Sequence, residues 1–170
     1  MNTKSKPNII VFFTDQQRWD TSSLHGNPLS LMENFDHYAV EGTHLYNSFT
    51  CQPVCGPARA SLQSGMYATK TGCFKNRIPL KKNIKTLAKH LSKEGYATGY
   101  IGKWHLGSSE PVKKEDRGGY DYWLGSNLLE FTSDAYETYV YDGQNKKVFL
   151  PGYRVDAIID AAINLSLIHI

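Results

Sequence analysis

The sequence predicts an α/β domain built around a mostly parallel sheet. Three observations carry this expectation. Asn8–Phe13 is a short unbroken run of apolar, β-branched and aromatic residues, the composition of a strand buried on both faces. Ile84–Glu94 followed by Tyr96–Ile101 reads as a helix running straight into a strand, the recurring unit of a βαβ fold. The polar residues that could carry chemistry fall just past the carboxyl ends of predicted strands, the edge where open α/β sheets bind ligands.

Each element has a local reason. Asp15 and Gln16 follow the first strand at its C-terminal end. Pro28 precedes a helical pattern reaching about Glu41, with Leu31, Phe35, Tyr38 and Ala39 on one face and Gly42 as the stop. His44–Thr50 reads as a second strand, with Leu45 and Phe49 on one side, and delivers the chain to a turn at Cys51–Cys55. Pro57–Ser64 is predicted as the helix behind that turn, closed by Gly65. In Ile84–Glu94 the apolar residues Ile84, Leu87, Ala88 and Leu91 recur at helical spacing, Lys93 suits the last turn, and Gly95 suits a C-terminal cap. Gly102-Lys103-Trp104-His105 comes at the end of the Tyr96–Ile101 strand. Ser108–Gly119 is polar and loop-like, and Tyr120–Gly125 is an aromatic cluster suited to packing. Tyr139–Tyr141 and Val148–Leu150 form a hairpin pattern around Asp142-Gly143. Arg154–Asn164 begins an amphipathic helix.

Composition narrows the function classes. The 170 residues carry a net charge of +3 with no dense Lys/Arg block, which argues against a nucleic-acid partner. The apolar run Ile9–Phe13 is far too short for a signal sequence or a membrane span. The chain as written is therefore expected to stay in the cytoplasm, away from membranes. Three cysteines do not make a disulfide framework, and Cys51 and Cys55 lack the second pair that a zinc site needs.

Cys55-Gly56-Pro57-Ala58-Arg59-Ala60-Ser61 is the most informative stretch. A cysteine at the mouth of a helix faces its positive dipole end and free N–H groups, which favour an anion. Arg59 adds a guanidinium whose geometry suits oxyanions. A nucleophile and an anion site are thus offered within five residues. A redox pair of Cys51 and Cys55 is the competing reading of the same residues.

The stretch Cys51–Tyr67 resembles the signature of the type I sulfatases, whose core is Cys-x-Pro-Ser/Ala-Arg. Pro7–Gln16 and Gly102-Lys103-Trp104-His105-Leu106-Gly107 match two further landmarks in family order. The resemblance runs from about Pro7 to at least Gly125. It implies the N-terminal part, incomplete, of a three-layer αβα sandwich with a mostly parallel sheet, as in alkaline phosphatase. It also implies that Cys55 is oxidised to formylglycine (3-oxoalanine) by a formylglycine-generating or anaerobic sulfatase-maturating enzyme. The hydrated aldehyde offers one hydroxyl to attack sulfur and a second whose deprotonation expels sulfate, dividing one hard step into two.

In the same way the resemblance assigns catalytic roles to Cys55, Arg59, Lys103 and His105. Arg59 would brace the diol or the anion, Lys103 would hold a sulfuryl oxygen, and His105 would orient or deprotonate the diol. It assigns a divalent cation, Ca2+ first with Mg2+ or Mn2+ as alternatives, to Asp15, Gln16 and the Cys55 position. Many family members carry aspartate where this chain has Gln16, which leaves one negative charge fewer on the metal.

The implied activity is hydrolysis of a sulfated small molecule or carbohydrate. Phosphoester or phosphonate ester hydrolysis and a non-catalytic binding fragment are the alternatives. Further acidic, amide or histidine ligands and a second lysine find no match in the 170 residues, so the polypeptide as given is expected to be inactive. Residues 1–164 are expected to be the N-terminal portion of the catalytic domain. Leu165–Ile170 matches what a sequencing adapter would encode and is expected to be a non-native tail.

Overall fold

In the computed structural model, residues 6–169 are described, and the side chains of residues 167–169 are left aside. The chain divides into two units, one up to Phe49 and one from Thr50.

In the first unit, two 3-10 turns, Trp19–Thr21 and Ser23–His25, lead to helix α1, Glu33–Glu41. Asp36 fastens α1 to the second turn, accepting from Ser22 Oγ at 2.5 Å and from Ser23 N–H at 3.0 Å. The helix starts later than the sequence pattern suggests, because Ser30 lies in the left-handed region at φ 47° and Met32 is non-helical. Leu31 therefore falls outside it, and Phe35 and Tyr38 are exposed rather than packed. The two strands expected here, Asn8–Phe13 and His44–Thr50, are not formed. Ile10 is 79% exposed and Phe12 72%. The physical reason is that an apolar run records a demand for burial, whereas a strand exists only where a neighbour completes its ladder.

The second unit holds the sheet. Helix α2 spans Cys55–Ser64, α3 Ala68–Thr71 and α4 Leu87–Lys93. Strands β1, Gly99–Lys103, β2, Tyr122–Ser126, β3, Thr138–Tyr141, and β4, Lys147–Leu150, lie in that order. The β1–β2 pair is parallel, while β2–β3 and β3–β4 are antiparallel. The sheet is thus mixed, with an antiparallel edge beside its parallel pair, a common finish for α/β sheets. Helix α5, Arg154–His169, continues past Asn164. An added Cβ on Gly99 of β1 would meet Leu165 Cδ2 at 2.9 Å, so Leu165 sits against the sheet.

Helix α2 starts two residues before the predicted Pro57. It ends as predicted at Gly65, whose φ of 67° needs a residue without a Cβ penalty. Helix α4 begins at the Thr86 cap, whose hydroxyl accepts from Lys89 N–H at 3.3 Å. The hairpin is as expected, with Tyr139 opposite Phe149 and Val140 opposite Val148. β2 was legible only as an aromatic cluster, because Trp123 to Ser126 are buried in succession and leave no alternation to read.

Trp104, Trp123, Leu106, Val112, Leu80, Ala60 and Cys73 form the core. Tyr100 stacks on Trp123 with centroids 5.2 Å apart and meets Trp104 edge-on at 4.9 Å. These rings lock β1 to β2 directly beneath the residues that follow β1.

Candidate active site

Three of the sequence-predicted residues are drawn together by the end of β1. The parallel ladder continues past the strand: Trp104 N–H donates to Ser126 O and His105 N–H to Asn127 O, both at 2.8 Å. Buried Trp104 anchors the chain between its two polar neighbours. His105 is itself buried and sits at φ 59°, a left-handed conformation that a non-glycine residue holds only when its surroundings enforce it. A two-way amide clamp supplies part of that enforcement. Gly107 N–H donates to Asn127 Oδ1 at 3.0 Å, and Asn127 Nδ2 donates to Gly107 O at 3.1 Å.

Arg59 lies one turn into α2 and is only 7% exposed. Its guanidinium donates to the Lys103 carbonyl at 2.5 Å and approaches the Tyr100 hydroxyl at 3.4 Å. The Tyr100 hydroxyl donates to the same carbonyl. Arg59 thus binds helix α2 to the last residue of β1.

The Lys103 side chain is 9% exposed, and its ammonium lies 3.1 Å from both carboxylate oxygens of Glu130. Burial works to raise the Glu130 carboxyl. Its own backbone N–H, Lys103 and His105 outweigh this and hold it below the usual carboxylate range. Glu130 therefore joins the two basic residues electrostatically.

Cys55 is the first residue of α2 and is partly exposed. The first-turn donors differ from the anion pocket expected at the helix mouth. Ala58 N–H already bonds Val54 O at 2.9 Å, and Gly56 N–H bonds Asn76 Oδ1 at 2.9 Å. Pro57 has no N–H to offer. The first turn of α2 therefore presents fewer free N–H groups than its sequence suggests. The thiol of Cys51 contacts Ser61 Oγ at 2.8 Å, and Cys51, Cys55 and Cys73 are all free thiols.

Asp15 and Gln16 belong to the first unit and are exposed, with Gln16 at φ 48°. Among the described residues no group of three His, Cys, Asp or Glu side chains could hold a metal ion. The donors present therefore do not fit a complete cation site. Asn76, Asn127 and Glu130 were missed in the sequence, because an amide or acid in a loop carries no pattern that tells a brace from a solvated side chain.

Fold and site together define a partial alkaline-phosphatase-like α/β domain, with a Cys-x-Pro-x-Arg helix packed against a Lys-x-His strand end. The family model described as Sulfatase matches residues 7–165, and the chain belongs to that family. It is similar to the uncharacterized sulfatase YidJ of Escherichia coli K12, with 34% identity over 95% of this chain and 33% of the relative. An ulvan-active sulfatase of Formosa agariphila is 37% identical over 93% of this chain and 31% of the relative. Among solved structures, a protein in complex with its substrate D-glucosamine-2-N,6-O-disulfate superposes with a TM-score of 0.82 at 31% identity. That match covers 94% of this chain and 31% of the other. The chain thus spans about a third of the length of these relatives. Among the described residues no helix is long and apolar enough to cross a membrane.

Proposed function

We propose that the protein to which this chain belongs hydrolyses sulfate esters through a formylglycine formed at Cys55. The observation that carries this reading is the Arg59–Lys103 hydrogen bond. It joins the helix headed by Cys55 to the strand end that leads through Lys103 to His105, which supports reading these residues as one site.

Residue 55, once oxidised and hydrated, supplies the attacking oxygen. Lys103 holds a sulfuryl oxygen by its ammonium, exchanging Glu130 for the substrate. His105 takes a proton from the diol, or gives one to the leaving alcohol. Arg59 holds the Lys103 backbone, and with it the direction of both basic side chains, against α2. Asp15, Gln16 and residue 55 remain the proposed contribution of this chain to a divalent cation, with Ca2+ ahead of Mg2+ and Mn2+. The described residues do not complete that site. The 170 residues alone are therefore read as inactive, and residues 1–164 as the N-terminal portion of the catalytic domain.

The substrate class proposed is a sulfated carbohydrate. A curated relative from Bacteroides thetaiotaomicron, 32% identical over 94% of this chain, is an N-acetylglucosamine-6-O-sulfatase, and the solved complex holds a sulfated amino sugar. The partner that matures Cys55 is a formylglycine-generating or anaerobic sulfatase-maturating enzyme.

The test is mass spectrometry of the peptide containing residue 55, joined to rates on matched aryl sulfate and aryl phosphate. Loss of the sulfur at residue 55 with faster sulfate turnover is expected. Faster phosphate turnover would move the protein to phosphoester hydrolysis, and an unconverted Cys55 with no turnover would make it a binding protein.

A further inference from the structure

The segment from Cys73 to Leu80 braces both halves of the constellation. Leu80 N–H donates to Leu106 O at 2.9 Å, fixing the segment to the loop that follows His105. Cys73 Sγ donates to Ile78 O at 3.1 Å, which closes the segment on itself. Gln52 Nε2 reaches Phe74 O at 2.7 Å from the chain that leads into Cys55.

At the centre of this brace, Asn76 Oδ1 accepts the Gly56 N–H at 2.9 Å. The Val54 side chain cannot cap α2, so the acceptor comes from a residue twenty positions away. The fit is close. A Cβ at position 56 would lie 3.0 Å from Asn76 Oδ1 and 3.8 Å from the His105 carbonyl oxygen. The next residue, Arg77, is held at φ 70°, a conformation that costs a non-glycine residue free energy. Asn76 thus ties the first turn of α2 to a segment that Leu80 fastens to Leu106, with the His105 carbonyl close to Gly56.

We propose that Asn76 is a positioning residue for residue 55. By capping Gly56 from outside the helix, it fixes the first turn of α2 and the direction in which the residue 55 side chain leaves it. By occupying that N–H, it also directs the reacting anion to side chains instead of the helix end. The catalytic part of this proposal rests on residue 55 being the nucleophile, whereas the capping part does not.

Two readouts separate them. In the full-length protein before conversion of Cys55, hydrogen exchange of the Gly56 amide is compared in wild type, Asn76→Ala and Asn76→Asp. Loss of a cap should speed exchange about tenfold in Asn76→Ala, while Asn76→Asp, which keeps an acceptor oxygen, should stay within about threefold of wild type. Alkylation of Cys55 should rise relative to that of Cys51 in Asn76→Ala alone. Unchanged Gly56 exchange in Asn76→Ala, with β1 amides still protected, overturns the proposal. If β1 protection is lost as well, Asn76→Asp decides: Gly56 protection kept supports the cap, and protection lost overturns it.

In the full-length, converted protein, Asn76→Ala should lower kcat about tenfold and leave KM within about twofold, because a misdirected nucleophile affects the reacting step more than binding. A raised KM at unchanged kcat would overturn the positioning role. Failure of wild type to turn over sulfate esters would defeat the functional reading, and the exchange result would still judge the cap.

Discussion

Arg59→Met removes the charge and fork of Arg59 while keeping most of its stem volume. In the structure the guanidinium makes a 2.5 Å bond to the Lys103 carbonyl and a weak 3.4 Å contact with Tyr100. A hydrogen bond from a charged donor contributes about 1.5–3 kcal/mol. Two features place the loss at the lower end. The Lys103 carbonyl keeps the Tyr100 hydroxyl as a donor, so no acceptor is orphaned. Relief of guanidinium desolvation offsets part of the rest. The expected destabilisation is therefore about 1–2 kcal/mol. A protein of ordinary stability, about 5–15 kcal/mol, remains folded after such a loss. Activity should fall much further, about 100-fold in kcat/KM, because the Cys55 helix and the Lys103–His105 strand end lose their direct tie. Arg59→Lys, which can still reach a carbonyl, should recover part of that loss. Urea denaturation followed by tryptophan fluorescence gives the stability, and aryl sulfate turnover by the full-length protein gives the activity. Unchanged kcat/KM, or a loss no greater than the unfolded fraction explains, would refute the argument that this bond assembles the site.

Three other perturbations have definite signs. The folded-state carboxyl of Glu130 is depressed, so its contribution to stability is present above the ordinary value of 4.5 and is lost as pH falls through the depressed one. Glu130→Gln should therefore lower stability at neutral pH by under about 1 kcal/mol, since Glu130 is 46% exposed, and converge with wild type in acid titrations. Gly118→Ala places a Cβ 2.8 Å from Trp104 Cη2 at φ 65°, and left-handed strain plus overpacking should cost about 2–4 kcal/mol in denaturation midpoints. A wild-type midpoint would show that the Trp104 ring moves aside freely. The exposed row Ile9–Phe13 should bind a hydrophobic dye and promote aggregation of the 170-residue chain, and Ile10→Ser with Phe12→Ser should reduce both. Dye binding unaffected by that double change would place the sticky surface elsewhere.

The sequence was most legible where the determinants are local. Gly65 ends α2, Asp142-Gly143 turns the hairpin and Gly95 follows the end of α4, each within a few residues of its own signal, whereas the Thr86 cap starts α4 at Leu87 and not at the expected Ile84. The Cys55–Arg59 spacing was legible for the same reason, because four residues on a helix place two side chains on one face. Legibility failed where a partner decides. Asn8–Phe13 has a strand's composition and stays exposed, whereas Tyr122–Ser126 looked like packing material and forms a strand because Gly99–Lys103 pairs with it.

The same division runs through the site. Cys55, Arg59, Lys103 and His105 announce themselves by type and spacing, but the contacts around them are non-local: Asn76 on Gly56, Asn127 on Gly107, Glu130 on Lys103. Each of these contacts spans at least twenty residues and ends on a backbone group or a charge, which places no constraint on nearby sequence. A motif thus reports which groups can react, and the amides and carboxylate around it determine whether they point at the same atom. If that is right, changing Asn76 or Asn127 should alter turnover while leaving the motif intact, and a chain could carry the whole motif and still be a poor catalyst.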